Sequence, residues 1–206
     1  MKIRNATLDD VIAVAEIHAV AFPDFFLTTL GDKFLRELYS GFLNHSSGIF
    51  FVADEADKVI GFVAGTSSPD IFFPAMRQRR GLFFLMSAIP AVLRNPIVVV
   101  RKLYMAVFYR GDKPAEVENG ALLSSVGVMP VALGKNVGRE LLEQFESEAF
   151  SRGAGFVYLT TDQIENDRVN AFYRKCGYHE ESRFNQQAIR PMLRYIKEMP
   201  IAVIVS

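Results

Sequence analysis

At 206 residues, half of them hydrophobic, the chain carries enough apolar side chain for one sizeable core. Its 23 basic and 23 acidic residues cancel to a formal charge of zero, which leaves no global field to recruit nucleic acid or an acidic partner. The single cysteine, Cys176, excludes an intramolecular disulfide, the N-terminal MKIRNATLDD lacks an apolar leader, and no uncharged apolar run reaches the roughly 18 residues of a spanning helix, so a cytoplasmic protein is expected.

The first predicted element is a strand over residues 2–6. Thr7, with Asp10 three positions on, then forms a near capping box that starts a helix. Val11, Val14, Ala15, Ile17 and Ala21 repeat at helical spacing until Phe22-Pro23 ends the element. Residues 25–30 read as an apolar loop over the core. From Asp32, the positions Phe34, Leu35, Leu38, Tyr39 and Phe42 predict a second helix that stops at residues 44–48. The β-rich runs 49–53 and 59–64, joined by a polar linker at 54–58, predict a hairpin.

Residues 71–111 change character. Arg77, Arg79, Arg80, Arg94, Arg101, Lys102 and Arg110 occur there with no Asp or Glu among them, on an aromatic and aliphatic background. Pro90 and Pro96 should break this insert into short helices near 82–88, 91–94 and 98–109, although the run Ile97 to Val100 suits a strand equally well. The rest reads as a strand at 121–128, a glycine-bearing turn, an amphipathic helix, a strand at 156–161, a helix at 165–176 closed by Gly177, and strands at 178–184 and 188–197. No repeat or linker is visible, so one domain over residues 1–200 with an apolar tail at 201–206 is expected.

The stretch LLSSVGVMPVALGKNVGRELLEQFESEAFSRG, residues 122–153, organises the chain. A helix that begins straight after a strand leaves its first backbone N–H groups unpaired and aimed at the turn, where they suit an anion such as a diphosphate. Val137, Leu141, Leu142, Phe145 and Ala149 form its apolar face, and Arg139, Glu140, Glu143, Gln144 and Glu146 its polar one. Taken alone, such a turn is more often an ordinary strand-to-helix connection.

The segment VGVMPVALGKNVGRELL resembles the acyl-CoA-binding motif of the GNAT superfamily of N-acetyltransferases, V-x-P-x-x-R-G-x-G-x-G, with Val128, Pro130, Gly134 and Gly138 in register. Leu133 stands where that family has Arg or Gln, and Asn136 replaces the middle glycine; Asn tolerates positive φ, and backbone amides do most of such binding. Further on, ENDRVNAFYRKCGYHE resembles the family's N-x-x-A-x-x-F-Y-x-x-x-G-F segment, with Val169 replacing the small residue. The resemblance implies an α/β (α+β) fold with a central mixed, mostly antiparallel sheet flanked by helices and a helical insert between the third and fourth strands.

It also implies direct transfer of an acetyl group from acetyl-CoA, as co-substrate, to a primary amine. Gly127 and Val128 would present backbone groups to the thioester, while Leu133, Gly134, Lys135, Asn136, Val137 and Gly138 would cradle the diphosphate. Asn166 would contact the pantetheine or diphosphate, and Tyr173 would protonate the departing thiolate. Glu118 and Asp162, at strand ends, are the candidate bases, although polar strand ends are more often simply solvated. His18 is a weaker candidate, and a histidine among Ile17, Ala19 and Val20 is more often packed. His45 and His179 have no ligand spacing to Cys176, so no metal is expected, and Cys176 reads as inert.

The N-terminal HAVAFPDFFLTTLGDKFLRELY resembles acetyltransferases of surface-polysaccharide assembly, which implies an amino sugar as the acceptor, and the basic insert suits one that is nucleotide- or lipid-linked. The basic insert reads as an interfacial lid on anionic lipid, as a dimerisation arm or as an extra core layer. A non-catalytic acyl-CoA sensor and a peptide or protein N-acetyltransferase stay open as alternatives.

Overall fold

The computed structural model describes residues 1–94, 96, 99, 119–186 and 190–198. Strands β1 (Lys2–Asn5), β2 (Gly48–Glu55), β3 (Lys58–Thr66), β4 (Gly120–Val128), β5 (Phe156–Asp162), β6 (His179–Gln186) and β7 (Arg190–Glu198) form a seven-stranded sheet in the order β1-β2-β3-β4-β5-β7-β6. Neighbours are antiparallel except β4 and β5, which run parallel. The expected mixed, mostly antiparallel sheet flanked by helices is therefore present.

The central strands are covered on both faces, which is why they read as unbroken apolar runs. In β2, Ile49, Phe51 and Ala53 face one core while Phe50 and Val52 face the other; in β3, Val63 faces the first, and Phe62 and Ala64 the second. The first face is covered by α5 (Val137–Ser151) and α6 (Asp167–Lys175), the second by α1 (Val11–Ala21), α3 (Asp32–Leu43) and α4 (Pro69–Arg94). The β2–β3 turn is only two residues, Ala56 and Asp57, both with positive φ, as the twist of a tight hairpin demands.

Helix α5 rides low over β3 because that strand carries glycine where the helix crosses it. A Cβ on Gly61 would come within 3.1 Å of both Leu141 and Val137, and one on Gly65 would lie 2.7 Å from Phe145 and 2.2 Å from the Leu122 carbonyl. The predicted apolar face of α5 is buried as expected. Glu146, placed on the polar face by sequence, is instead 8 % exposed: it lies over the sheet, where Lys197 of β7 bonds it at 2.6 Å.

Two further expectations are corrected. Residues 25–30 include one helical turn, α2 (Phe26–Thr29), whose entry is tied by a 2.6 Å bond from Thr28 Oγ1 to the Phe22 carbonyl. The insert does not break at Pro90: α4 is continuous over 26 residues with Pro74 and Pro90 inside it. A proline in a helix forfeits one hydrogen bond and crowds the preceding turn, at about 3 kcal/mol. Packing on both sides offsets this, since Phe84, Ala88 and Ala91 lie against Leu30 and Phe34. The predicted helix over 98–109 and the tail at 201–206 lie outside the described residues, apart from the buried Val99.

The N-terminal capping box forms. Asp10 Oδ2 accepts from both Thr7 N and Thr7 Oγ1 at 2.8 Å, and Arg4 bonds both carboxylate oxygens at 2.7 and 2.8 Å while also reaching Asp54. The Arg4 hydrogen bond, against the opposing cost of burial, holds the Asp10 carboxyl at about 2. Because this folded value lies below the ordinary value near 3.9, the contribution of Asp10 to stability is complete above about pH 4 and disappears as pH falls toward 2. Asp10→Asn is expected to lower stability at neutral pH and to flatten the decline between pH 4 and 2 in urea denaturation; an unchanged acid limb would contradict this.

Candidate functional site

Between β4 and α5 the chain makes a 3-10 turn at Pro130–Ala132 and then an open loop. Gly134 has φ +81 with nothing near its missing Cβ, so glycine is required there by backbone conformation. Asn136 takes the left-handed conformation at the helix N-cap, φ 63 and ψ 5, as expected of an asparagine standing in for glycine. The backbone N–H groups of Gly134, Asn136, Val137, Gly138 and Arg139 donate to no backbone acceptor among the described residues. These amides stand at the positive end of a 15-residue helix, an arrangement that suits an anion. Val137 is buried beneath it, Leu133 is exposed at its rim, and Lys135 turns away toward Glu55 at 3.7 Å.

Gly138 has a different reason to be glycine. A Cβ there would sit 3.5 Å from Phe172 and Val128, which is ordinary contact, so neither the fold nor the backbone angles require its absence.

The second feature is a gap in the sheet. β4 pairs with β5 only at Gly120, Ala121 and Leu122, yet continues alongside β3 to Val128. The parting begins where Ser124 is bulged out of the β3 ladder: Ala64 pairs with Ser125, and Gly65 with Leu123. A bulge bends and over-twists its strand, whereas β5 stays with β7 along its whole length. Met129 N bonds the Ile60 carbonyl at 2.8 Å. Since hydrogen-bonded pairs alternate along an antiparallel ladder, Gly127 falls in the next such pair, facing β3. The N–H and C=O of Val126 and Val128 therefore point into the gap.

The far side of the gap is built by β5 and α6. Asn166, at the α6 N-cap, bonds Thr161 Oγ1 at 2.7 Å and the Asp162 carbonyl at 3.2 Å, and Asn170 bonds the same carbonyl at 3.2 Å. Asn170 Oδ1 is buried without a partner among the described residues. The Asp162 carboxylate is held by a bidentate ion pair with Arg190, whose guanidinium lies over the Phe25 ring at 5.3 Å. Tyr173 is 8 % exposed and packs on Phe172, Tyr178 and Tyr195. Burial pushes its hydroxyl well above the ordinary phenol value, so it carries its proton at neutral pH.

The structure thus gathers Val128, Gly138 and Phe172 in contact, with Asn136 and Val137 beside them, and sets Asn166 at the end of β5. Glu118 lies outside the described residues. Burial likewise raises the Cys176 thiol, which keeps it protonated. Among the described residues no group of three or more His, Cys, Asp or Glu side chains could hold a metal ion. Sequence reading missed Asn170, which lies four positions after Asn166 on one helix and so carried a signal. It also missed the Asp162–Arg190–Phe25 contact, which joins three distant segments and carried none.

Comparison with known proteins places these features in a family. The chain matches the description Acetyltransferase (GNAT) family over residues 11–178. It is 32 % identical over 71 residues to an IAA acetyltransferase of Azospirillum brasilense, a match that spans 46 % of that relative and 34 % of this chain. Among solved structures it is similar to a ribosomal-protein-alanine N-acetyltransferase from Brucella melitensis, with TM-score 0.64, 19 % identity and 97 % of this chain and 100 % of that one covered. It is similar also to an aminoglycoside 6'-N-acetyltransferase complexed with coenzyme A, with TM-score 0.60, 16 % identity and coverage of 98 % and 99 %. At such identities the likeness is one of fold.

Because its Cβ would meet only ordinary contacts, Gly138→Ala is expected to keep or raise stability, by up to about 1 kcal/mol from helix propensity, in chemical denaturation. A clear loss of stability would mean that packing demands the glycine after all.

Proposed function

The chain belongs to the GNAT acetyltransferase family, and on that footing we propose that it transfers an acetyl group from acetyl-CoA directly to a primary amine, with an amino sugar as the acceptor class. The observation that carries this reading is the coincidence of two sites: an amide-lined turn at the start of α5, and a parting of β4 from β5 into which Val126 and Val128 turn their free backbone groups. The first suits the diphosphate of coenzyme A, with Leu133, Gly134, Lys135, Asn136, Val137 and Gly138 along it. The second is wide enough in pairing terms to admit an extended arm whose amides bond to strand edges, with Asn166 and Asn170 on the opposite wall.

In this arrangement the Val128 N–H polarises the thioester carbonyl and stabilises the oxyanion formed on attack. Rate comes mainly from holding amine and thioester together, with no covalent enzyme intermediate. Tyr173, kept protonated by burial, gives its proton to the departing thiolate. Asp162 sits at the acceptor rim, where Arg190 anchors it and Phe25 offers a ring. An exposed aromatic ring beside a polar strand end suits the face of a sugar ring.

Calorimetric titration with acetyl-CoA, followed by thiol release against amino sugars and against peptides, tests the proposal. Binding with turnover on an amino sugar is expected. Binding without turnover would make the protein a sensor, turnover on peptides alone would replace the acceptor class, and no binding would sink the reading. Gly138→Ala should weaken acetyl-CoA binding while leaving the fold intact. Tyr173→Phe should lower kcat by roughly 10²-fold with KM for acetyl-CoA little changed; an equal kcat would remove Tyr173 from the chemistry.

For the insert we propose contact with an anionic bilayer. In α4, Leu82, Phe83, Leu85, Met86, Ile89 and Leu93 are exposed, on a segment whose only charges over residues 71–111 are basic. Among the described residues no helix is long and apolar enough to cross a membrane, so the contact would be peripheral. Flotation with vesicles containing phosphatidylserine should carry the protein upward, and salt should release it. Failure to float, or a dimer that buries this face, would overturn the assignment.

A further inference from the structure

Asn166, Asn170 and Tyr173 stand at i, i+4 and i+7 along α6 and its N-cap, on the stripe that the helix turns to the sheet. Asn170, in the middle, is 3 % exposed. Asparagine is mostly a surface residue, and the motif that this segment resembles leaves position 170 open, so its burial needs a reason of its own.

The direction of its carboxamide follows from the strand it touches. Gln163 N donates to the Pro191 carbonyl at 3.0 Å, and residues that exchange such bonds alternate along an antiparallel ladder. Asp162, paired with Met192 one step earlier, therefore turns its backbone groups away from β7, as does Thr160. On that side β4 has parted from β5, so these groups face the gap. Two side-chain amides meet the Asp162 carbonyl there, Asn166 Nδ2 and Asn170 Nδ2, each at 3.2 Å. That bond fixes which end of the Asn170 carboxamide is which, because the reverse orientation would set Oδ1 against a carbonyl oxygen. Oδ1 is left at the edge of the gap, buried and with no partner among the described residues.

We propose that Asn170 Oδ1 accepts a hydrogen bond from an amide N–H of the pantetheine arm and so fixes the position of that arm in the gap. The proposal rests on the acetyl-CoA reading. A buried acceptor without a donor is costly, and it is kept where something supplies the donor. An arm threaded between β4 and β5 carries secondary amides, whose N–H groups are of the kind that a neighbouring strand would have offered. The Asp162 carbonyl, the last β5 acceptor on this side, is already taken by both asparagines. Oδ1 stands in for it, one side chain removed from the strand. The fold does not call for this oxygen: Asn166 caps the Asp162 carbonyl as well and also bonds Thr161 Oγ1 at 2.7 Å, which ties α6 to β5 without Asn170.

The test measures, by calorimetry, the binding of CoA and of 3'-phosphoadenosine diphosphate, which has the diphosphate without the arm, to wild type, Asn170→Ala and Asn170→Leu. Alanine removes the acceptor without adding bulk to the gap, and leucine keeps the volume while excluding a substitute water. Both variants should lose on the order of tenfold in CoA affinity while their nucleotide affinity stays as in wild type. Without ligand, Asn170→Leu should melt no lower than wild type, since it removes an unsatisfied buried oxygen and leaves the Asn166 bond to Asp162 in place. An unchanged ratio of the two affinities overturns the proposal, whether neither ligand is affected or both weaken together with a fall in melting temperature, and it leaves acetyl transfer standing. A wild type that binds no CoA instead brings down the acetyl-CoA reading and this inference with it.

Discussion

The site depends on β4 failing to follow β5. One residue, Ser124, has no place in the β3 ladder, and beyond it β4 bends with β3 while β5 keeps its register with β7. A sheet interior normally satisfies every backbone group. Here the groups of Val126 and Val128 are left facing a gap, a cost of the kind that is kept where a ligand repays it.

The remainder of the fold holds that gap in place. On one face α5 is pulled close by the glycines of β3, which brings its free N-terminal amides to the mouth of the gap. α6 is tied to the end of β5 by Asn166 and Asn170, and Phe172 closes against Gly138 and Val128. On the other face the aromatic packing around Tyr39 joins α1 and α3 to β3. The two faces thereby have different chemistry: bare amides and a helix dipole on the α5 side, and hydroxyls, an imidazole and an aromatic rim on the other.

Much of this was legible in the residues. The strand–turn–helix around Gly134, the tolerance of Asn136 for positive φ, the apolar face of α5 and the α6 segment all follow from local rules, because each is decided within a few residues. What misled were residues whose environment is set from far away. Glu146 belongs to the polar side of a helical pattern but meets Lys197 of β7. Pro90 obeys no local rule once Phe84, Ala88 and Ala91 are packed against the first helices. His18, by contrast, is packed as its apolar neighbours suggest, although its partner Tyr39 stands on another helix.

The sequence by itself determined the family, the order of the strands, and the glycine-bearing turn that opens α5, since backbone conformation and short-range periodicity are written in neighbouring residues. Only the tertiary structure decided where the sheet opens, which backbone groups face the opening, and that Asp162, Arg190 and Phe25 meet. Those depend on strand register and on side chains brought together from three distant segments, and no local pattern encodes a distance between them.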